Sequence, residues 1–584
     1  MIAEKDKKGK GNIFVFIILF LAVFNLFLEH GIEPSRFAKQ LIQYLDIGIL
    51  LLFALDIILN LTQAKIKGEF FKKNFLDIII IAALIGFFIY NRYISFLLHT
   101  NQLQSLSKNV IIFRNIFILL KVFSRMKKLN YFLKSISSHP AQTILFSFMI
   151  VILAGTILLI MPFSTADGSR LGILNALFTS TSAVCVTGLI VVDTATRFSL
   201  YGQIIIMSLI QTGGLGIMIL SYFSGLIIGT KFSIEDKILM SYMLNEQDMK
   251  NISRAILNII LATFLIEIIG ALVLFTVFKG WFGLSWKSVL FSAFHSISAF
   301  CNAGFALFTD SFEQFKSNIT LNMTITLLII MGGLSFIVIN NLFRYVKNVV
   351  KRKIFEKRES IVKISLNTRL VLIITAILII IGTLILYAFE HKANLIRYDL
   401  VTQYLVAFFQ SVTLRTAGFN TIDFSHLQIY SYLVMIVFMF IGAASGSTAG
   451  GIKVNTLSVI FSYIKSLIKG EEDIVIFKQS IAKDLVNKAF LIIILFISSI
   501  FLGTLILTIT ENFQLIQILF ETVSAIGTVG LSTGITGQLS VIGKITIIML
   551  MFIGRLGPLT IVAAISKRGK KFQIKFPEGN INIG

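Results

Sequence analysis

The chain has 584 residues, of which 56% are hydrophobic and only 14% charged, against roughly 25% charged in an ordinary soluble domain. A water-soluble fold of this size needs far more polar surface, so a soluble enzyme is excluded. Repeated apolar runs of about 20 residues, each long enough to cross a hydrocarbon core, predict a polytopic membrane protein instead. The 52 Lys and Arg against 29 Asp and Glu give a net charge of +23. These basic residues sit mostly between apolar runs, as topology-setting loops do, and give no sign of a nucleic-acid partner. The 2 cysteines, Cys185 and Cys301, and 6 scattered histidines leave no disulfide framework, no HExxH and no four-ligand metal cluster.

In chain order, four apolar segments come first, at about 12–29, 43–62, 74–92 and 109–130. Lys5, Lys7, Lys8 and Lys10 precede the first. It lacks a small-x-small cleavage site and runs into Glu29, His30 and Glu33, so it reads as an uncleaved span. Asp56 lies within the second segment and Asp77 at the start of the third. Arg114, Lys121, Arg125 and Lys128 fall roughly along one face of the fourth. Residues 1–135 are thus a four-helix membrane extension.

From His139 the pattern changes to a unit of a long apolar span, a half-length apolar segment ending in a Gly-containing loop, and a second long span. The unit recurs four times, over 138–230, 253–346, 366–468 and 484–566, followed by a short tail, 567–584. The loops read FTSTSAVCVTGL (Phe178 to Leu189), FHSISAFCNAGF (Phe294 to Phe305), FQSVTLRTAGF (Phe409 to Phe419) and FETVSAIGTVGL (Phe520 to Leu531). Their glycines, Gly188, Gly304, Gly418 and Gly530, recur every 114 residues or so, about three times the period of a common solenoid repeat. The first spans are predicted at about 141–162, 255–278, 368–389 and 486–510. The second spans are expected to open on QTGGLGIM (Gln211 to Met218), MGGLSF (Met331 to Phe336), MFIGAASGSTAGGIK (Met439 to Lys453) and MFIGRLGPLT (Met551 to Thr560).

Twelve spans and four half-membrane loops put both termini on one side. Arg344, Lys347, Lys351, Arg352, Lys353, Lys357, Arg358, Lys363 and Arg369, with Lys567, Arg568, Lys570 and Lys571 of the tail, mark that side as cytoplasmic. The Gly loops then enter from outside and return there. Irregular backbone at membrane depth is tolerated only inside protein or along a water-filled path. Four such loops about a pseudo-fourfold axis would bring four sets of carbonyls to one line, where they can replace the hydration shell of an alkali cation. None of the loops carries Asp or Glu at its narrow segment, which excludes a carboxylate-ring divalent site.

TVGLSTG at Thr528 to Gly534, RTAGFNTID at Arg415 to Asp423, CVTGL at Cys185 to Leu189 and GSTAGGIK at Gly446 to Lys453 resemble the Trk/Ktr/HKT superfamily of potassium transporters over residues 138–566. The resemblance implies an all-α fold of four helix–re-entrant loop–helix repeats around one pore per subunit, and no enzyme. It also implies K+ as the transported ion without an organic cofactor, residence in the cell inner membrane, homodimerisation, and a cytosolic nucleotide-binding regulatory ring on a separate polypeptide. The filter it implies comprises Val186, Thr187 and Gly188; Asn302, Ala303 and Gly304; Thr416, Ala417 and Gly418; and Thr528, Val529 and Gly530. An intact Gly188 favours K+, since Ser at the first position is associated with Na+ in plant relatives.

The same resemblance implies an intramembrane gating loop, 442–451, with Gly442, Ser445, Gly446, Ser447, Thr448, Gly450, Gly451 and the following Lys453. The family often has further Gly where Ala443 and Ala444 stand here. Arg555 matches a basic residue of the cavity wall, where it would discourage over-occupancy by cations. Arg415 and Glu521 are expected to pair and brace the filter. Cys185 and Cys301 are read as packing residues, and Asp423 as a cation-attracting or merely solvated group. The first four spans resemble a degenerate voltage-sensor-type bundle; a basic interfacial helix anchoring the core is the other reading. The expected function is K+-selective uptake, against Na+- or H+-coupled symport and a voltage-gated cation channel as alternatives.

Overall fold

The computed structural model describes Gly48 and residues 140–216, 252–355, 364–424 and 427–565. The expectations for Asp56, Asp77, Arg114, Lys121, Arg125 and Lys128, and for the tail, lie outside the described residues. The first unit comprises α1 (Pro140–Ile160), the half-length α2 (Ile173–Val184) and α3 (Leu200–Leu215). The second comprises α4 (Ile252–Phe282), the half-length α5 (Trp286–Phe300), α6 (Ile319–Gly333) and α7 (Phe336–Phe355). In the third, α8 (Leu366–Glu390) leads to the half-length α9 (Leu400–Thr413), then α10 (Ile429–Phe440) and α11 (Val454–Lys469). A small antiparallel hairpin, β1 (Val475–Ile476) and β2 (Gln479–Ser480), precedes the fourth unit. That unit comprises α12 (Lys483–Thr510), the half-length α13 (Leu515–Gly527), α14 (Val541–Leu556) and α15 (Pro558–Ile565).

The first spans fall where apolar periodicity predicts them. Helices α1, α4, α8 and α12 are each long and apolar enough to cross a membrane. Their outward residues, among them Leu153, Leu261, Ile380 and Ile494, are more than half exposed in the isolated chain, as expected of surfaces that face lipid.

The second spans differ from expectation. Their glycine motifs do not open helices but end them. Each helix starts much earlier: the side chains of Ser199, Asn318 and Ser540 accept from the backbone of Gly202, Leu321 and Gly543 to cap α3, α6 and α14. Gly213 and Gly214 then fill the last turn of α3, which stops at Gly216 with φ +83°. Helix α6 ends at Gly333, and α7 leaves it at 103°. Helix α14 stops at Gly557, φ +81°. A Cβ on Gly213, Gly332 or Gly554 would lie 2.0, 1.8 or 2.0 Å from the carbonyl oxygen of Val184, Phe300 or Ile526. Glycine is therefore required where α3, α6 and α14 press on the last turn of a half-length helix.

A second set of close contacts joins the half-length helices to the first spans. The hydroxyls of Ser180, Ser296 and Ser411 donate to the carbonyls of Ile152, Glu267 and Ile379 at 2.7, 2.6 and 2.8 Å. Gly155, Gly270 and Gly382 make room for these serines: a Cβ there would fall 2.4, 2.7 and 2.4 Å from the respective hydroxyl. Within lipid, where apolar burial drives little helix association, small residues and interhelical hydrogen bonds do this work.

Gly332→Ala is expected to lower the melting temperature of the detergent-solubilised chain clearly, since overpacking against backbone costs about 1–3 kcal/mol. Gly280→Ala, where the Cβ meets nothing within 4 Å, is expected to be neutral or slightly stabilising. Equal melting temperatures for the two variants would contradict the close-contact account.

Candidate functional site

Each half-length helix ends directly in its glycine loop, and the four loops share one backbone geometry. Val186, Asn302, Thr416 and Thr528 have φ of +55°, +59°, +69° and +50°; two residues later Gly188, Gly304, Gly418 and Gly530 have +94°, +70°, +81° and +90°. Left-handed backbone at Val and Thr is strained, and persists only where surrounding contacts enforce it. The middle residue of each loop turns its amide back to the half-length helix. The amides of Thr187, Ala303, Ala417 and Val529 donate to the carbonyls of Ser182, Ser298, Thr413 and Ser524 at 2.8, 2.8, 2.9 and 2.8 Å. Ser182 and Ser524 also accept the amides of Gly188 and Gly530 at 3.0 and 3.1 Å. Ser298 instead donates to the carbonyl of Phe305 at 2.8 Å. The side chains of Val186, Thr187, Asn302, Ala303, Thr416, Ala417, Thr528 and Val529 are all buried.

The four glycines close a ring. A Cβ on Gly188 would lie 2.5 Å from the Ala303 carbonyl oxygen, and one on Gly304 2.8 Å from Gly418 Cα. One on Gly418 would lie 2.7 Å from the Val529 oxygen, and one on Gly530 2.1 Å from the Thr187 oxygen. Contacts therefore run from unit one to two, three, four and back to one. Backbone oxygens gathered in this way, with no carboxylate among them, suit an alkali cation.

The glycines also floor a mouth of about 220 Å³ that carries Asp310, Glu313 and Asp423 on its wall. Asp310 and Glu313 were not foreseen; they lie past the loop motif in a stretch without periodic signal. Neighbouring units are tied at this mouth. Asn420 donates to Glu313 at 2.9 Å, and Thr309 donates to Asp193 at 2.9 Å. Partial burial first, then Asp423 and Asp310, hold the Glu313 carboxyl above its usual range, while Lys316 and the Asn420 hydrogen bond oppose the shift.

On the other side of the ring, the chain between α10 and α11 is not helical. Gly442 and Ile452 close its base through a backbone bond of 2.9 Å, and the Gly446 φ is +78°. This segment touches two other units. Ala444 and Thr448 amides donate to the carbonyls of Gly333 and Gly332 at 3.2 and 3.3 Å. A Cβ on Gly450 would meet the Thr528 hydroxyl at 2.1 Å and the Gly527 oxygen at 2.9 Å, so the segment runs directly beneath the fourth loop. Ser445 and Ser447 lie on its outer bend, where the Ser447 hydroxyl donates to the Ala444 carbonyl at 2.7 Å.

Three successive carbonyls of this segment face fixed cations. Arg555 donates to the Thr448 carbonyl and, through its other terminal nitrogen, to the Gly213 carbonyl. The Lys453 ammonium donates to the Ala449 and Gly450 carbonyls at 2.5 and 3.3 Å. Arg555 thus links the first, third and fourth units, and its partners are backbone oxygens rather than a carboxylate.

The expected Arg415–Glu521 pair does not form. Glu521 accepts instead from Ser532, from the Thr533 amide at 3.1 Å and from Thr536 at 2.9 Å, all in its own unit. Those three donors of the returning strand satisfy the carboxylate within its own unit, so burying it does not require the guanidinium. Arg415 is buried, and its Nε has no hydrogen-bond partner. Cys185 and Cys301 are buried free thiols in helix-end positions, consistent with packing. Sequence reading also missed Gly155, Gly270 and Gly382 with their serine partners; Ser180, Ser296 and Ser411 recur seven or eight residues before the loop glycines, and that recurrence is the signal that finds them.

Comparison with known proteins bears on the whole arrangement. The family model described as "TrkH: Cation transport protein" matches residues 106–574. The chain is 38% identical over 455 residues to the "Ktr system potassium uptake protein B" of Bacillus subtilis, covering 77% of this chain and 98% of that protein. It is 35% identical over 452 residues to the "Potassium/sodium uptake protein NtpJ" of Enterococcus hirae, covering 76% and 97%. The crystal structure of the potassium transporter TrkH from Vibrio parahaemolyticus superposes with a TM-score of 0.57 at 19% identity, covering 72% of this chain and 84% of that one; it supports the fold. The chain is accordingly an all-α, multi-pass membrane protein and a transporter, not an enzyme, and it belongs to the TrkH family of cation transport proteins.

Proposed function

We propose that this chain is the pore subunit of a K+ uptake system, conducting K+ through the ring formed by Val186–Gly188, Asn302–Gly304, Thr416–Gly418 and Thr528–Gly530. The observation that carries the reading is the closed glycine ring with the same pair of left-handed residues in all four loops. Its carbonyls replace the water of a K+ ion, and the C-terminal ends of the half-length helices add partial negative charge behind them. Relatives named for potassium uptake support the ion. Basic residues such as Arg344 and Arg369 support a cytoplasmic side opposite the acidic mouth, with both termini inside and the protein in the cell membrane. Relatives named as protein B of a Ktr system support a separate cytosolic partner. The family resemblance adds a homodimer and a nucleotide-binding ring.

In this reading the segment 442–451, with Lys453, is the gate. Its position beneath Gly527 and Thr528 blocks the path from the filter to the cytoplasm, and Arg555 latches it there through Thr448. The partner would act by drawing the segment aside.

Gly188→Ser is expected to lower K+ over Na+ selectivity, because the left-handed φ and a Cβ that would fall 2.5 Å from the Ala303 oxygen leave no room for a side chain. Uptake of K+ against Na+ competition in reconstituted vesicles measures this; an unchanged ratio argues against the filter. Arg555→Ala is expected to raise K+ flux in the absence of a partner about tenfold, since it removes charge-assisted bonds worth about 1.5–3 kcal/mol each. Flux equal to the parent would sink the latch.

A third outcome concerns external pH. Glu313 shares the mouth with Asp310 and Asp423, and Lys316 stands beside it. Its carboxyl titrates above the usual range, so acidification neutralises it before ordinary carboxylates. Uptake from subsaturating K+ at low ionic strength should therefore fall as external pH drops through that value, by about twofold for one charge some 10 Å from the ion. Glu313→Gln should abolish this step and start from the lower rate. A wild-type pH profile in the variant contradicts the assignment.

A further inference from the structure

The position of Glu521 on its half-length helix recurs in register in the other three units. Thr179, His295 and Glu521 stand nine residues before Gly188, Gly304 and Gly530; Gln410 stands eight before Gly418, in a loop one residue shorter. In three of the four units this side chain crosses over the loop to the residue three past the glycine. The Leu307 amide donates to His295 Nε2 at 3.0 Å. Gln410 Nε2 donates to the Thr421 hydroxyl oxygen at 3.1 Å. The Thr533 amide donates to Glu521 Oε1 at 3.1 Å. His295, Gln410, Thr421, Glu521 and Thr533 are all at most 5% exposed.

The anchors are themselves held. His295 Nδ1 donates to the Phe291 carbonyl at 2.7 Å, which fixes Nε2 as the acceptor for Leu307. The ring stacks on Phe308 with centroids 5.3 Å apart. Glu521 also accepts from Ser532 and Thr536. The first unit departs from the pattern. The Thr179 hydroxyl is spent on the Asn175 carbonyl of its own helix at 2.9 Å. The returning strand of that unit is tied instead to its neighbour, through Asp193 and Thr309.

We infer that His295, Gln410 and Glu521 are specificity-determining positioning residues: each bolts the returning strand to the helix and so sets how far its glycine carbonyl can move from the axis. The first loop, which lacks this particular contact, is then the quarter of the ring that yields most to ions of different size. The inference rests on the filter reading above. A carbonyl ring that selects by cavity size must resist shrinking around the smaller ion, so loss of a bolt relaxes selectivity without blocking flux.

The test uses the full chain in vesicles, reading K+ and Na+ uptake separately. Thr421→Val keeps the side-chain shape and removes the hydroxyl; Gln410→Met removes the other half. Each is expected to lower the K+/Na+ uptake ratio about three- to tenfold, in line with one buried hydrogen bond, with total cation flux retained. The double variant should be no worse than either single one, because both remove one bond. Thr421→Ser should keep the parental ratio, and Thr179→Val should leave it unchanged. Unchanged ratios in Thr421→Val and Gln410→Met, alongside a lowered ratio in Gly188→Ser, would overturn the bolt and spare the filter. Unchanged ratios in all three would overturn both.

Discussion

Backbone without regular structure at membrane depth has no water to satisfy it, so every amide and carbonyl of the glycine loops must find a partner inside the protein or face an ion. The four loops meet this constraint in one way. The middle amide of each folds back onto the last turn of its half-length helix, at Ser182, Ser298, Thr413 and Ser524, and the carbonyls of Thr187, Ala303, Ala417 and Val529 lie against the glycines of neighbouring loops. Left-handed backbone at Val186, Asn302, Thr416 and Thr528 is the cost of alternating the peptide direction so closely. Burial of their side chains in the surrounding protein holds that geometry in place.

The rest of the architecture follows from keeping those half-length helices in register. They lean outward on the first spans through Ser180, Ser296 and Ser411, and each contact needs a glycine opposite. Inward, the second helices press on their ends at Gly213, Gly332 and Gly554. A helix that approaches so closely runs out of room just beyond, and α3, α6 and α14 all end there. In the third unit the same break lengthens into a segment that runs under the ring. Thus one requirement, close backbone approach between helices, underlies both the scaffold of the loop ring and the interrupted segment of the third unit, proposed above as a gate.

Cationic side chains then act on oxygens rather than on acids. Arg555 and Lys453 take three successive carbonyls of the segment, groups that would otherwise be unsatisfied or would hold a passing ion. Glu521, a buried acid beside the fourth loop, is likewise satisfied by hydroxyls and an amide. Sequence reading paired Arg415 with Glu521 because opposite charges at the ends of neighbouring helices are the simplest solution. The serine and threonine donors of the returning strand reach the carboxylate first.

Much of this molecule was legible in its residues. Hydropathy is a sum over local sequence, so the first spans could be placed closely, and the loop glycines announced themselves by repeating with their neighbours. The absence of carboxylates from the narrow segments already pointed to a backbone site. Other features depend on contacts between residues far apart in the chain, to which local pattern is blind. Arg555 meets a carbonyl 107 residues away and another 342 away. A glycine motif looks the same whether it opens a helix or closes one; only the packing around it, where a Cβ would fall about 2 Å from a neighbouring carbonyl, tells which. The sequence by itself determined a membrane protein with four equivalent glycine loops, because composition and repetition are properties of the chain alone. The tertiary structure decided the cyclic order of the loops, the breaks in the second helices and the partners of each buried polar group, because those are set by which surfaces meet.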